Sequence, residues 1–451
     1  MTATPASRAP LFRAIFVLSV VAVCLIRLAG FVADNAVDLL FDDQWDALRP
    51  LFENRGPWNA FFMQHGPPRL GLGGLIDWFL YDATNWDVRA ESWAGVIVLA
   101  LTTVTALALA VRLRGHLAWS DAAFPLLLLS TVHWETLLLT PFLAAKILPL
   151  LLTLLLALIW SANISRLQTA GLAVFGILTL FTGYGFCGFP VTVALALLLA
   201  WRASAETSSH RAKLIPLLLL FAAAVVVFAS TYQWSTGTSD WRFPVPNWWD
   251  YPRFCALMFT SLLGWRANTF SSAALGAVVL ILVIAAFLAA ARLIWRGQST
   301  PRTRAVWILA GTSLTYSALT AIGRLPTNLE AAFLWRYTTL MMPALCGLAL
   351  AAEGWAQSRS RPWRAGVGVA WLALAATVWS NFTPESYAAT IAQGKRQWIS
   401  SYLATHDLKA ANQASGYWVY FPEPDSPVIA EKLRWLEQRH FSFFRDASAR
   451  K

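Results

Sequence analysis

The sequence predicts an all-α integral membrane protein with about eleven transmembrane helices. Three observations predict it. First, 57% of the 451 residues are hydrophobic and only 13% are charged, with a mean hydropathy of +0.52; a soluble domain carries about 25% charged residues. Second, many apolar residues fall in blocks of roughly 18 or more, long enough to cross roughly 30 Å of hydrocarbon as helices. No alternating barrel strands appear, so the spans must satisfy their own backbone hydrogen bonds as helices. Third, the net charge of +11 comes from short basic clusters between the apolar blocks. That is the bias of cytoplasmic loops, and it argues against nucleic acid as a partner.

An apolar block at 14–33 follows Arg8 and Arg13 and shows no small-residue cleavage site, so it reads as a retained first span. The polar stretch 34–91 is dense in acid and poor in base, which places it outside and the N-terminus in the cytoplasm. Spans are then expected at 93–111, 117–132, 143–160, 168–183, 188–201 and 214–231. An outer loop with Trp234, Trp241, Trp248 and Trp249 comes next. The segment 254–265 is too short to cross easily and reads as interfacial or re-entrant. Spans at 272–291, 305–322, 338–355 and 365–380 complete the count.

The spans form a polytopic region over 1–381, with its candidate site in loop 34–91. The remainder, 382–451, is an extracytoplasmic helical tail with a joint at Phe421-Pro422-Glu423-Pro424. Cys24, Cys187, Cys255 and Cys346 show neither metal-ligand spacing nor a disulfide framework.

Unusual residues gather on the outer side. Asp42 and Asp43 adjoin at the end of the first span. Such a pair suits a general base or a ligand for a hard divalent cation, and equally an acidic loop or a helix N-cap. His65 and Arg69 flank two prolines that stiffen the backbone, and arginine offers a planar fork for phosphate. His133, Trp134 and Glu135 end the third span, with Lys146 opening the fourth; a Glu135–Lys146 ion pair is the structural alternative. Gly323-Arg324 and Trp335-Arg336-Tyr337 place two arginines among aromatics, as headgroup clamps or interfacial anchors. No phosphate-cradling glycine loop, zinc-binding HExxH helix or nucleophile elbow occurs.

Together these residues resemble the GT-C superfamily of polytopic glycosyltransferases, which includes protein O-mannosyltransferases and bacterial lipid A aminoarabinose transferases. The resemblance rests on Asp42-Asp43 after the first span. It extends, in a bacterial branch, to His65 to Arg69, Trp134-Glu135, Gly323-Arg324, Arg336-Tyr337 and the tail from Tyr420. The sequence departs from that branch at Gly66-Pro67-Pro68, where a His-Arg-Ile run is usual.

The resemblance implies a GT-C-like fold in a bacterial inner (plasma) membrane. It implies transfer of a sugar from a polyprenyl-phosphate donor to a glycan, lipid or protein acceptor on the extracytoplasmic face. Asp42 or Asp43 would act as base, or as ligands should a divalent cation be used, with His65, Arg69, Trp134, Glu135, Arg324, Arg336 and Tyr337 binding substrate. The rival readings are a lipid-linked glycan flippase, which would carry charges along a mid-span path, and a Wzy-like polymerase or ligase. Apart from Arg27, mid-span positions are almost wholly apolar, which favours an enzyme working at one face.

Overall fold

The computed structural model describes residues 9–203, 208–233 and 242–445. Arg8, Trp234 and Trp241 lie outside the described residues. Among those described there is no strand, only an isolated bridge between Gln64 and Arg69.

The long helices are α1 (Ala9–Asn35), α2 (Val88–Arg114), α3 (Ile147–Trp160), α4 (Arg166–Phe181), α5 (Phe189–Arg202), α6 (Ser208–Ser230) and α7 (Asp250–Leu262). There follow α8 (Phe270–Trp295), α9 (Pro301–Arg324), α10 (Met342–Gln357), α11 (Arg361–Asn381) and the tail helices α12 (Glu385–Thr405), α13 (Leu408–Ser415) and α14 (Pro427–Gln438). Among the described residues eight helical stretches are long and apolar enough to cross a membrane, and α3 and α4 are shorter apolar helices.

The expected span at 117–132 is not one helix. It holds a 3-10 turn (Trp119–Ala122), an α-helix (Ala123–Leu128) and the start of a second 3-10 turn (Thr131–His133), and a π-helix (Glu135–Leu139) follows it. Pro125 is part of the reason: it has no amide to donate, so it fits only a first turn and starts the α-helix there. The π-helix ends on Lys395 of α12, whose Nζ donates to the carbonyls of Leu138 at 3.0 Å and Leu139 at 2.8 Å.

Contacts between helix ends sort them onto two faces. On one, Phe16 packs edge-on against Trp119, Arg114 pairs with Asp121 at 2.7 Å, and Arg304 donates to the carbonyls of Trp160 at 2.6 Å and Ala162 at 2.9 Å. Arg211 caps the end of α5 through the Ala200 carbonyl, a favourable place for a cation, and Lys213 donates to Ile164 in the loop between α3 and α4. On the other face, Arg27 of α1 reaches Glu385 at 2.8 Å, the Gly183 amide donates to the Arg69 carbonyl at 2.7 Å, and the Tyr232 hydroxyl donates to Pro67 at 3.0 Å. Arg27, placed mid-span by sequence, thus belongs to this second face.

The thirteen residues of α7 extend about 20 Å, short of the hydrocarbon thickness. The helix packs antiparallel on the first turns of α8, where a Cβ on Gly276 would lie 1.8 Å from the Ala256 carbonyl oxygen. The tail folds over the first loop. Trp45, Trp86, Trp398, Tyr402, Leu433 and Phe443 form their shared core, sealed by Ser442 and Arg445 on Asp38 at 3.0 Å each.

Candidate functional site

The turn that presents Asp42 and Asp43 is held from three sides. Asp42 has φ 50° and ψ −121°, a conformation L-residues avoid at a cost of about 1–3 kcal/mol. The tail offsets this cost: Asp42 donates its amide to Val419 at 2.8 Å, and its carboxylate accepts from the Phe421 amide. Gln44 completes the support. Its side chain accepts from the Phe41 amide at 3.1 Å and donates to the Pro141 carbonyl at 2.7 Å and to Glu91 at 3.2 Å. Asp42 stands at the N-cap position of a short helix, Asp43–Ala47, but its side chain makes no capping bond; the N-cap alternative is not realised.

His65 reaches back to the pair, its Nε2 lying 3.3 Å from Asp43 Oδ1. Its ring stands edge-on to Phe142. Burial alone would raise the Asp43 carboxyl, but the hydrogen bond and charge of His65, with Arg336 and Lys146, outweigh it and hold Asp43 below the usual range. Asp42 moves the other way, raised by burial and by the adjacent Asp43. Burial disfavours the His65 cation, yet Asp43 lifts its pKa above the ordinary value. The two neighbouring carboxyls are thereby driven apart, the pattern of an acid–base pair with divided roles.

Opposite them stand cations from distant parts of the chain. Arg336 acts electrostatically on both Asp42 and Asp43. Lys146 is buried, lies over the rings of Tyr337 and Tyr184 at 5.4 and 5.9 Å, and feels the charges of Arg336, Glu135, Asp43 and Arg324. Glu135 fixes the Arg336 backbone by accepting its amide hydrogen. No Glu135–Lys146 ion pair within 4.0 Å forms among the described residues. Arg324 is exposed and sits against the Tyr184 hydroxyl. Tyr337 is buried with its hydroxyl unpartnered.

Two expected site residues are occupied otherwise. Arg69 is buried, and its guanidinium donates to Phe62 and Phe228 carbonyls at 2.6 and 2.8 Å and to Thr231 at 2.9 Å. It ties the first loop to the end of α6 and leaves little of its fork for phosphate. Trp134 is buried edge-on against Trp335 at 5.9 Å, a core contact rather than an open face for a sugar ring.

Sequence reasoning left three participants unassigned. Lys146 read as a structural ion-pair partner, and Tyr184 stood in the short connection between the spans at 168–183 and 188–201. Arg266, just beyond α7, lies 3.4 Å over the Trp335 ring, with two guanidinium nitrogens buried and unpartnered and its pKa lowered to about 9 by burial. Its only sequence signal was an arginine at an outer helix end, which belongs to anchors as well.

For a divalent cation the residues fit poorly. Among the described residues no group of three or more His, Cys, Asp or Glu stands together to hold one, and the positive neighbours of Asp42 and Asp43 are side chains. A cavity of about 1240 Å³ is lined by Asp38, Arg89, Trp93 and Arg396 among others, and by none of the site residues above. Comparison with protein-family models, with curated proteins and with solved structures finds no match to this chain.

Proposed function

We propose that this chain is a GT-C-type glycosyltransferase that moves a sugar from a polyprenyl-phosphate donor to an acceptor hydroxyl at the extracytoplasmic face of a bacterial plasma membrane. The observation that carries the reading is electrostatic: Arg336 acts on both Asp42 and Asp43 and Lys146 acts on Asp43, with Arg324 acting on Lys146 in turn, and no ion pair within 4.0 Å joins them among the described residues. Nothing local in the sequence brings these segments together. A carboxylate beside several cations suits a reaction that removes a proton at one point while negative charge builds on a leaving phosphate at another.

In this reading the acceptor oxygen attacks the anomeric carbon as the bond from that carbon to the phosphate oxygen breaks. The acceptor proton passes to Asp42 or Asp43, and the lipid phosphate leaves as an anion held by Arg324, Arg336 and Lys146. His65 positions Asp43. In this reading the broken segment at 117–132 and the short apolar helices α3 and α4 are counted as crossings with the longer helices, which gives eleven, with the N-terminus inside and the tail outside.

The test uses purified protein in lipid nanodiscs, labelled polyprenyl-phosphate sugars and a membrane extract as acceptor source. Asp43→Asn or Asp42→Asn is expected to lower transfer about 10²–10⁴-fold without loss of fold. Arg336→Lys is expected to weaken donor binding, because a point charge replaces a planar fork. Wild-type turnover in both Asn variants and in the double variant would remove the carboxylates from the chemistry. Headgroup translocation, the flippase reading, would then be the activity to measure.

A further inference from the structure

On the arginine-rich face, a cavity of about 630 Å³ opens between α1, the 3-10 turn Trp119–Ala122, α10 and α11. It takes no part in the site above. Its polar rim holds Arg13, Arg114, Arg361 and Arg364 against Asp121 and Glu353. The acids are already engaged: Arg114 bonds both Asp121 carboxylate oxygens, at 2.7 and 2.8 Å, and pairs with Glu353. Arg13, Arg361 and Arg364 have no acidic partner within 4.0 Å among the described residues. Arg302 lies 3.7 Å from Glu353 as well, so Arg114 and Arg302 balance the two carboxylates and Arg13, Arg361 and Arg364 leave three positive charges. Arg361 also opens α11, whose N-cap Ser360 makes no side-chain capping bond. The exposed amides and dipole of that helix end add to the positive field.

Below the rim the wall changes character. Phe124, Leu350, Val367 and Trp371 line it, with Phe124 and Trp371 in edge-on contact at 6.1 Å. These residues belong to apolar membrane helices, so a soluble anion would leave this half of the cavity unfilled. Basic pockets between transmembrane helices suit acidic lipid headgroups.

We propose that this cavity binds one anionic phospholipid carrying two phosphodiesters, of the cardiolipin type. Its phosphates sit on Arg13, Arg361 and Arg364, and its acyl chains lie along Phe124, Leu350 and Trp371. Two phosphates balance more of these three charges than one would. The unpaired arginines are then satisfied without drawing on the Arg114–Asp121–Glu353 network that joins α2 to α10.

The experiment is native mass spectrometry of delipidated full-length protein with added cardiolipin, phosphatidylglycerol or phosphatidylcholine, alongside apparent melting temperature with each lipid and with inorganic phosphate. One retained cardiolipin is expected, with a melting rise that phosphatidylglycerol gives in part and that phosphatidylcholine and inorganic phosphate do not. Arg361→Gln/Arg364→Gln should reduce the retained fraction about tenfold while leaving the lipid-free melting temperature unchanged, since both side chains are exposed. Equal retention of cardiolipin and phosphatidylcholine would overturn the proposal. So would unchanged cardiolipin retention in the double variant, or a melting rise with inorganic phosphate equal to that with cardiolipin.

Discussion

Gly73 controls the candidate site from a distance, and its replacement tests how the site is held. It lies in the first-loop helix Leu72–Ala83. A Cβ there would stand 2.2 Å from the Ala144 Cβ, 2.4 Å from its Cα and 2.9 Å from its backbone nitrogen. Ordinary contact begins near 3.4 Å, so the two segments must part by about 1 Å, and no rotamer change relieves a clash with backbone. Ala144 cannot retreat freely. Leu143 donates to Glu91 at 2.9 Å, Tyr184 donates to the Ala145 carbonyl at 3.1 Å, and Gly183 packs so closely behind that its own Cβ would lie 1.9 Å from the Ala144 oxygen. Overpacking a tight core costs about 1–3 kcal/mol, and a backbone collision belongs at the upper end. The displaced strip carries Lys146, two residues on. Gly73→Ala is therefore expected to lower the apparent melting temperature by several degrees and to weaken polyprenyl-phosphate binding, though Gly73 contacts no site residue. Gly323→Ala is the control. It is helical and meets nothing within 4 Å, so the added methyl should be neutral or stabilising by up to about 1 kcal/mol. Scanning fluorimetry on the tryptophans and a lipid-binding titration read both variants. Equal melting and equal binding for Gly73→Ala and wild type would refute the claim that this contact sets the position of Lys146.

Three further outcomes follow from the geometry. Asp38 is pushed up to about 6, chiefly by burial and then by the charge of Asp87. Being raised, it favours folding fully below about pH 4 and loses that contribution as pH rises through 6, about 3 kcal/mol in all; Asp38→Asn should flatten the pH 4–7 dependence of tail release by limited proteolysis, and an unchanged profile would refute this. Arg69→Ala should cost several kcal/mol by removing charged hydrogen bonds to Phe62, Phe228 and Thr231, yet leave the donor affinity of the still-folded fraction within about twofold; a selective loss of affinity at normal stability would restore it to the substrate site. Chelation with EDTA is expected to leave donor binding unchanged, because the charges that face Asp42 and Asp43 are side chains; a metal-restorable loss would count against that.

Much of the membrane architecture was legible in the sequence because the bilayer imposes a one-dimensional rule. Apolar blocks of sufficient length are read directly from composition, and most of the long helices fall where those blocks lie. The rule failed at 117–132, where mean apolarity said one helix but Pro125 starts a separate short α-helix between two 3-10 turns. Loop residues were legible as types and not as partners. Asp42, Asp43, Arg324 and Arg336 could be singled out for their charge beside a membrane. Arg69 looked the same, and only the carbonyls that the tertiary fold places around it show it to be a brace. Gln44 looked ordinary and Lys146 looked like an ion-pair partner for the opposite reason: what sets them apart is burial and long-range contacts, ring faces of Tyr337 and Tyr184 in one case and hydrogen bonds to Pro141 and Glu91 in the other. The sequence by itself determined that this chain lives in a membrane and gathers acids beyond its first span. Which cations meet those acids was decided by tertiary packing alone, since electrostatic partnership depends on distance in space, and segments far apart in the chain carry no local trace of it.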